Sequence, residues 1–316
     1  MKQKMLLAIF ACLLVSFLWV GAAPADTFAA NGSGVVGDGY TDTPVLNSLS
    51  GDGNGVVLMY HHLVSDEAYA TGKFTGNNAV IPVGQFENEM YYLHQNGYTT
   101  LTMNEVNTYL RNKITLPPKT VVITFDDGYE SNYVYAYPIL QRYNLKATIA
   151  VIVKSSLDGV SGSNGEYDPA GKSHLTFEQM REMVKSGLIE IGSHSYDGHA
   201  YITTADSDYG KFFTQRKYLP ELGRSEIYDE YFTRINDDLR LSKYILEQEL
   251  GREICYFAFP YGSNSSDVIT ALQYNGFEIA TTVAAGRIAG HSNIYLLNRK
   301  NVNPKISISQ FADLIN

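Results

Sequence analysis

The stretch VVITFDDG (residues 121–128) places two adjacent carboxylates and a glycine directly after a run of largely apolar residues. A run that is apolar at successive positions is typical of a parallel strand covered on both faces. Asp and Gly are favoured where a strand enters a turn, and Asp can cap a following helix, so a simple turn is one interpretation. The other interpretation is a site at which one carboxylate holds a cation and its neighbour moves a proton. Partners elsewhere in the chain decide between the two.

Strand-like and helix-like segments alternate along the chain from residue 55 onward. Thr102 with Glu105 and Thr176 with Gln179 form capping boxes that predict the starts of two helices. Alternation without hairpin signals is typical of a parallel α/β fold, and about seven strands favour a barrel over an open sheet. Chemistry in such folds gathers at the carboxyl ends of the strands. The predicted strands include GVVLMY (55–60), TVVITF (120–125), ATIAVIV (147–153), LIEIGS (188–193), ICYFAF (254–259) and FEIATTV (277–283).

The amino terminus has the pattern of an export signal. Two lysines precede an apolar run (6–23), and Ala23-Pro24-Ala25 is an A-x-A cleavage site, with a second candidate site ending at Ala29-Ala30. We therefore predict a signal peptide over residues 1–25 and a secreted or cell-surface protein. An uncleaved membrane anchor is the alternative, because about 18 apolar residues can nearly span a bilayer.

The remaining chain is predicted to hold one domain after a spacer. Residues 26–54 are rich in Gly, Ser, Asn, Asp and Thr and have too few large apolar residues to pack, so we predict a flexible linker. From residue 55 to 316 there is no internal repeat and no second linker. The size of this region suits an α/β barrel.

Charge and cysteine content exclude several classes of protein. Loss of the signal removes two lysines and no acid, which takes the formal net charge from −9 to −11. Such a charge disfavours nucleic acid and anionic membrane surfaces and favours a neutral or cationic substrate. Cys255 alone remains in the mature chain, so no internal disulfide forms and a large apolar core must hold an exported protein together. We predict that Cys255 is a buried small apolar residue.

Two histidines leave another predicted strand. They begin and end HSYDGH (194–199), which follows LIEIGS directly. On a helix, positions five apart point about 140° away from each other, so these imidazoles converge only in a loop. Each histidine alone is more typical of an ordinary surface or capping residue. With Asp127 at a neighbouring strand exit, two imidazoles and one carboxylate make a ligand set that catalytic zinc uses, with one position left open.

Three motifs together resemble one family. TFDDG (124–128), HSxxxH (194–199) and FPYG (259–262), in this order and roughly this spacing, resemble the NodB-homology polysaccharide deacetylases of carbohydrate esterase family 4. LMYHH (58–62) is similar to the exported poly-N-acetylglucosamine deacetylase branch. The resemblance extends over about residues 55–316.

The resemblance implies a distorted (β/α)7-type barrel, the NodB-homology deacetylase fold. Residues 55–118 would then form the amino-terminal part of the catalytic barrel, and residues 119–316 the NodB-homology polysaccharide deacetylase domain.

The resemblance also implies a role for each matching residue. Asp126 matches the catalytic base, and Asp127, His194 and His199 match the ligands of a divalent metal, expected to be Zn²⁺. Tyr261 matches the residue whose backbone N–H helps hold the oxyanion.

The chain departs from the common pattern at three places, and the last of them leaves the general acid unassigned. The histidines are five apart rather than the usual four, as in the poly-N-acetylglucosamine branch. Ala258 stands where an Arg is usual, and the late Leu-x-His motif is replaced by Leu297-Asn298-Arg299. Candidates for the acid, or for a group that orients the base, are His61, His62, His291 and Arg299.

The activity implied by the resemblance is removal of N-acetyl groups from N-acetylglucosamine residues, with release of acetate. The polymer would be an extracellular or cell-wall polysaccharide such as poly-N-acetylglucosamine, peptidoglycan or a chitin-like chain, bound by a monomer that takes no nucleic acid. Two alternatives stay open, an O-acetyl esterase on xylan-like glycans and a non-catalytic carbohydrate-binding protein on the same fold. An aspartyl-phosphate phosphatase needs a second Asp two residues after the first, where this chain has Gly128.

The segment 201–234, between the histidine loop and the next predicted helix, is crowded with Tyr and Phe. Sugar faces stack on aromatic rings, so a loop that covers the substrate is one interpretation. A local packed cluster is the other.

Overall fold

A computed structural model describes residues 55–158, 173–288, 290 and 292–316. The predicted signal peptide and linker (1–54) lie outside the described residues, and so does His291. Within the described ranges, no helix combines the length and apolarity that crossing a membrane requires.

Short strands alternate with helices through the described chain. The strands are β1 (Val56–Tyr60), β2 (His62–Val64), β3 (Val80–Pro82), β4 (Thr99–Thr100), β5 (Thr120–Phe125), β6 (Ala147–Val151), β7 (Ile189–Ser193), β8 (Tyr201–Thr203), β9 (Tyr209–Lys211), β10 (Tyr218–Leu219), β11 (Arg224–Ser225), β12 (Tyr256–Ala258), β13 (Ile279–Thr281) and β14 (Lys300–Asn301). The α-helices are α1 (Asp66–Ala70), α2 (Val83–Gln95), α3 (Met103–Arg111), α4 (Tyr137–Tyr143), α5 (Val153–Asp158), α6 (Phe177–Lys185), α7 (Tyr228–Leu250), α8 (Ser266–Tyr274) and α9 (Ile308–Ile315).

One curled parallel sheet forms the centre of the fold. Its strands follow the order β13-β12-β7-β6-β5-β1-β14, and β4 pairs beside β5. The segment 294–301 joins the two ends of this path, because Leu297 bridges to Thr281 of β13 and β14 pairs with β1. The helices cover the outside, so the predicted distorted (β/α)7-type barrel is confirmed.

Alternation along the strands separates an outer core from the barrel interior. On β5, Val121, Ile123 and Phe125 pack in the cluster shared with the helices, whereas Val122 packs with the interior cluster. Thr124 is the next inward position, and Asp126, directly after β5, is the one that follows. On β7, Gly192 faces Tyr256 inside the barrel, and His194 is the next inward position of that strand. The period of two thus carries one carboxylate and one imidazole to the mouth of the barrel.

Local sequence signals account for several boundaries. The capping boxes at Thr102 and Thr176 are both present and begin α3 and α6. Cys255 is buried and free, as predicted. The prediction of a fold without hairpins is wrong for one region. In the segment 201–234, here called the aromatic insertion, β8–β9 and β10–β11 form antiparallel pairs. These strands are two or three residues long, too short for a recognisable alternating pattern.

Candidate active site

Three strand exits meet at the carboxyl end of the barrel, and each contains a non-glycine residue with positive φ. These residues are Asp127 (φ 71°) after β5, Ser195 (φ 101°) after β7 and Tyr261 (φ 55°) after β12. Such backbone costs about 1–3 kcal/mol per residue and is concentrated at functional sites. At Gly128 (φ 73°) a Cβ would lie 2.7 Å from Val151 Cγ1, so the turn that follows Asp127 admits only glycine. The chain therefore turns sharply where each predicted site residue lies.

Asp127, His194 and His199 lie together as a potential ligand set. Asp127 Oδ1 is 3.5 Å from Nε2 of His194 and 3.5 Å from Nε2 of His199, and the three ligand atoms all lie within 4.8 Å of one another. Among the described residues, this buried Oδ1 has no hydrogen-bond partner. Bond lengths of about 2.0–2.2 Å in a tetrahedral zinc site place ligand atoms about 3.4 Å apart, so these residues fit a divalent cation.

The orientation of His194 leaves the correct nitrogen available. Its Nδ1 is 2.8 Å from the carbonyl oxygen of Ala258, which only accepts, so Nδ1 donates its proton there and Nε2 keeps a lone pair. Burial lowers the pKa of His194 and outweighs the opposing effect of the Asp126 and Asp127 carboxylates. A neutral, oriented imidazole is the form that binds a metal.

The loop that carries His199 is held by a residue that the sequence analysis missed. Asp238 of α7 accepts hydrogen bonds from the backbone N–H groups of Tyr196 (3.0 Å) and Asp197 (2.8 Å). Burial raises the pKa of Asp238 to about 6, although these N–H donors pull it down. A signal was available, because Asp238 lies on the same helical face as Ile235 and Leu239, where a charge needs a local partner.

Asp126 forms a bidentate ion pair with Arg299. The distances are 2.7 Å from Nη1 to Oδ1 and 2.6 Å from Nη2 to Oδ2, and Arg299 Nε also donates to the carbonyl of Thr282 at 2.9 Å. Both side chains are almost completely buried. Burial alone would raise the pKa of Asp126, but the Arg299 charge, with a smaller effect from His194, holds this pKa well below its usual range. Asp126 is therefore ionised at any physiological pH.

The candidates for the general acid that the structure describes differ in their distance from Asp126 and in their partners. Arg299 has a pKa raised even above its usual value, and a guanidinium paired in this way orients a carboxylate and donates no proton. His61 follows β1, lies close enough to lower the pKa of Asp126, and has a buried Nδ1 without a partner among the described residues. His62 instead bonds Ser131 Oγ through its Nδ1 (2.9 Å). His291 lies outside the described residues.

Two tyrosines line the ligand set. The Tyr261 ring lies 4.2 Å from the His199 ring, centroid to centroid, and Lys211 Nζ donates to the Tyr261 carbonyl at 3.1 Å. The turn is therefore fixed on both sides, while the role of the Tyr261 N–H as an oxyanion donor stays a prediction. Tyr129 was missed by the sequence analysis, although it directly follows DDG. Burial, together with the nearby Asp127 carboxylate, raises the pKa of Tyr129.

The aromatic insertion is partly a packed cluster. Phe213 is buried against Phe257 at a centroid distance of 5.9 Å, and its carbonyl accepts from the Tyr231 hydroxyl at 2.7 Å. A Cβ at Gly198 would lie 2.6 Å from the Phe213 ring, so this cluster packs directly against the loop that carries His199. Other aromatic side chains of the insertion stay exposed, notably Tyr201 and Tyr209.

A family model and two relatives all indicate the same protein family. Residues 113–280, just over half of the chain, match the family model described as polysaccharide deacetylase. A polysaccharide deacetylase homologue of Bacillus subtilis (strain 168), YxkH, is 31% identical over 259 residues, covering 82% of this chain and 75% of that protein. The poly-β-1,6-N-acetyl-D-glucosamine N-deacetylase of Escherichia coli (strain K12) is 28% identical over 268 residues. That alignment covers 83% of this chain but 38% of the E. coli protein.

A solved structure supports the same fold. The de-N-acetylase of Aggregatibacter actinomycetemcomitans superposes with a TM-score of 0.72 at 24% identity, covering 83% of this chain and 100% of that chain.

Proposed function

The chain belongs to the polysaccharide deacetylase family, and from this premise we propose that it hydrolyses N-acetyl groups of N-acetylglucosamine residues in a polysaccharide, releasing acetate. The observation that carries the proposal is the adjacency of the ionised Asp126 to the Asp127–His194–His199 ligand set at the mouth of the barrel. A non-catalytic carbohydrate-binding protein would need neither of these features.

The relatives support the choice of polymer. Proteins named poly-β-1,6-N-acetyl-D-glucosamine N-deacetylase align over most of this chain, so we take that polysaccharide as the substrate. The chain spans only 38% of the E. coli relative, which leaves any activity of the remaining part of that protein outside the proposal. The predicted export signal supports action outside the cytoplasm. We take the chain to work as a monomer.

Asp127, His194 and His199 would hold the divalent cation, with zinc as the expected ion because the ligand set is two imidazoles and one carboxylate. When bound, the cation supplies Lewis-acid chemistry to the acetamide carbonyl and to water. Adjacent carboxylates are then compatible in one small volume, because the cation offsets their mutual repulsion.

The other roles belong to the side chains and backbone of the chain itself. Asp126 accepts the proton of the attacking water, and Arg299 fixes the plane of its carboxylate toward the ligand set. The backbone N–H of Tyr261 stabilises the oxyanion. The leaving amine needs a proton, and we assign its donation to His61 because its ring lies near Asp126 and has an unpartnered Nδ1 among the described residues.

The test combines acetate release with metal content. Poly-β-1,6-N-acetylglucosamine oligomers and acetylated xylan are offered to the purified zinc-loaded protein, and we expect acetate from the first substrate. Asp126→Asn should retain zinc and lose about 10²–10⁴-fold in turnover. Asp127→Asn and His199→Ala should lose zinc and activity together.

Asp197→Asn is the matched control, because Asp197 lies in the same loop with an exposed side chain outside the ligand set, so it should keep both zinc and activity. Acetate released only from xylan would contradict the proposed substrate. A metal-free Asp126→Asn beside a fully loaded Asp127→Asn would reverse the two roles.

A further inference from the structure

Resting on the proposed function, we infer that Tyr261, Tyr201 and Tyr209, here called the aromatic strip, bind sugar units that flank the reacting N-acetylglucosamine. The strip begins at the candidate site, where the Tyr261 ring packs against the His199 ring. The Tyr201 ring lies 5.0 Å from the Tyr261 ring, so the aromatic surface continues outward without a gap. Tyr201 and Tyr209 are 54% and 74% exposed, so both rings are open to a ligand.

The pairing of β8 with β9 decides which side chains share a face. Tyr201 pairs with Lys211, and Thr203 pairs with Tyr209, in antiparallel register. Directly paired residues and their i+2 neighbours lie on the same face of a hairpin, so Tyr209 lies on the same face as Tyr201 and Lys211. Tyr201 and Lys211 both contact Tyr261, which orients this face toward the site.

The opposite face of the hairpin is fixed. Ile202, on that face, is buried, and a Cβ at Gly210 would lie within 2.7 Å of the Gln215 side chain. The carbonyl of Tyr261 also holds Lys211 at 3.1 Å, which ties the hairpin to the turn after β12. The exposed tyrosines are therefore presented by an anchored surface, which favours binding because little side-chain or loop motion must be frozen.

The chemistry of the strip suits uncharged pyranose rings. Tyrosine presents an apolar ring face together with a hydroxyl, which matches a sugar that has an apolar C–H face and a polar rim. The continuity of the strip with the ligand set means that the same polysaccharide chain reaches both. Its occupant is therefore the sugar next to the one that is deacetylated, and the next beyond it.

The experiment measures how much the enzyme gains from a longer substrate. Values of kcat/KM for acetate release are determined with the dimer and the pentamer of β-1,6-N-acetylglucosamine, and the pentamer-to-dimer ratio is the readout. Tyr209→Ala should lower this ratio about tenfold, mainly through a higher KM for the pentamer, because it removes about 50 Å² of apolar contact with a sugar. Tyr201→Ala should act in the same direction, and Tyr201→Phe should restore the ratio because the ring is kept.

Tyr274→Ala is the matched control. Tyr274 is 81% exposed at the end of α8 that leads into β13, on the opposite side of the barrel, and its removal should leave the ratio unchanged. Equal loss on dimer and pentamer in Tyr209→Ala, or no loss at all, would overturn the inference while leaving the deacetylase proposal intact. If the wild type released no acetate from either oligomer, the proposed function would fail and the strip would lose its occupant with it.

Discussion

The substitution Arg299→Met keeps Asp126 in place but removes the positive charge that keeps its carboxylate ionised. Methionine has a similar unbranched length and removes the guanidinium that binds both oxygens of Asp126. The Asp126 carboxylate then stays buried with no cation from Arg299, and a buried charge that loses its partner typically destabilises a protein by about 3–5 kcal/mol.

The sign of the pH effect follows from the two pKa directions. In the wild type the pKa of Asp126 lies below its ordinary value, so the ion pair stabilises the fold above about pH 4 and this contribution is lost as pH falls. In Arg299→Met, burial dominates and raises the pKa of Asp126 above its ordinary value. The native variant then prefers the protonated acid, so its stability falls as pH rises, and the stability gap to the wild type widens from pH 4 toward pH 8.

The assay is the pH dependence of kcat/KM with zinc saturating, together with denaturant unfolding at pH 5 and pH 8. A protonated Asp126 cannot act as a base, so we expect the acidic limb of the profile to move to higher pH in Arg299→Met. Each unit of displacement costs about tenfold in the ionised fraction below the pKa.

Arg234→Met provides the matched control, because Arg234 forms a largely buried pair with Glu226 (2.7 Å) and does not pair with Asp126. It should destabilise the protein without moving the acidic limb. An unchanged acidic limb in Arg299→Met, with a stability gap that does not vary with pH, would refute the idea that Arg299 sets the ionisation of Asp126.

Three further predictions concern the histidine loop, the outer core and the amino terminus. Asp238→Ala should weaken zinc binding about 10–100-fold by releasing the two loop N–H groups, and excess zinc should restore activity; unchanged affinity by competition with a chelator would contradict this. Burial raises the pKa of Glu89, which accepts from the Tyr60 hydroxyl, to about 7, so this group should lower the stability by about 3 kcal/mol as pH rises from its ordinary pKa to its native pKa; urea unfolding of Glu89→Gln should lack this component, and an identical pH profile in the two proteins would contradict it. Mass spectrometry of secreted protein should give an amino terminus at Asp26 or Asn31, and full-length chain found only in membranes would instead indicate an anchor.

Site residues could be predicted from the sequence where a local pattern also determines where the side chain lies in the fold. Period-two alternation carries Asp126 and His194 inward at the ends of β5 and β7, and parallel strands bring those ends to one rim. The Asp127–His194–His199 set was thus predictable from two strand exits, those of β5 and β7. The residue roles drawn from the family resemblance stay predictions until the variants are measured.

Contacts between residues far apart in the chain could not be read from local patterns. The family resemblance offered Arg299 as a group that could orient the base, but the residues around Arg299 do not by themselves indicate a contact with Asp126, 173 positions earlier, because the pairing depends on how the last strand closes the barrel. Asp238 left only an indirect signal, a charge on the buried face of a helix. The insertion hairpins were not predicted because their strands are only two or three residues long, too short to show an alternating pattern.

The segment 294–301 closes the barrel and also delivers Arg299, so one event in folding completes both the scaffold and the site. A chain that lacks this segment keeps the TFDDG, HSxxxH and FPYG motifs yet cannot pair the buried carboxylate of Asp126 with Arg299. Contacts across such a long stretch of chain cost loop-closure entropy before they add stability, which makes their formation slow. We therefore expect the site around Asp126 to be complete only when the carboxyl-terminal segment has docked.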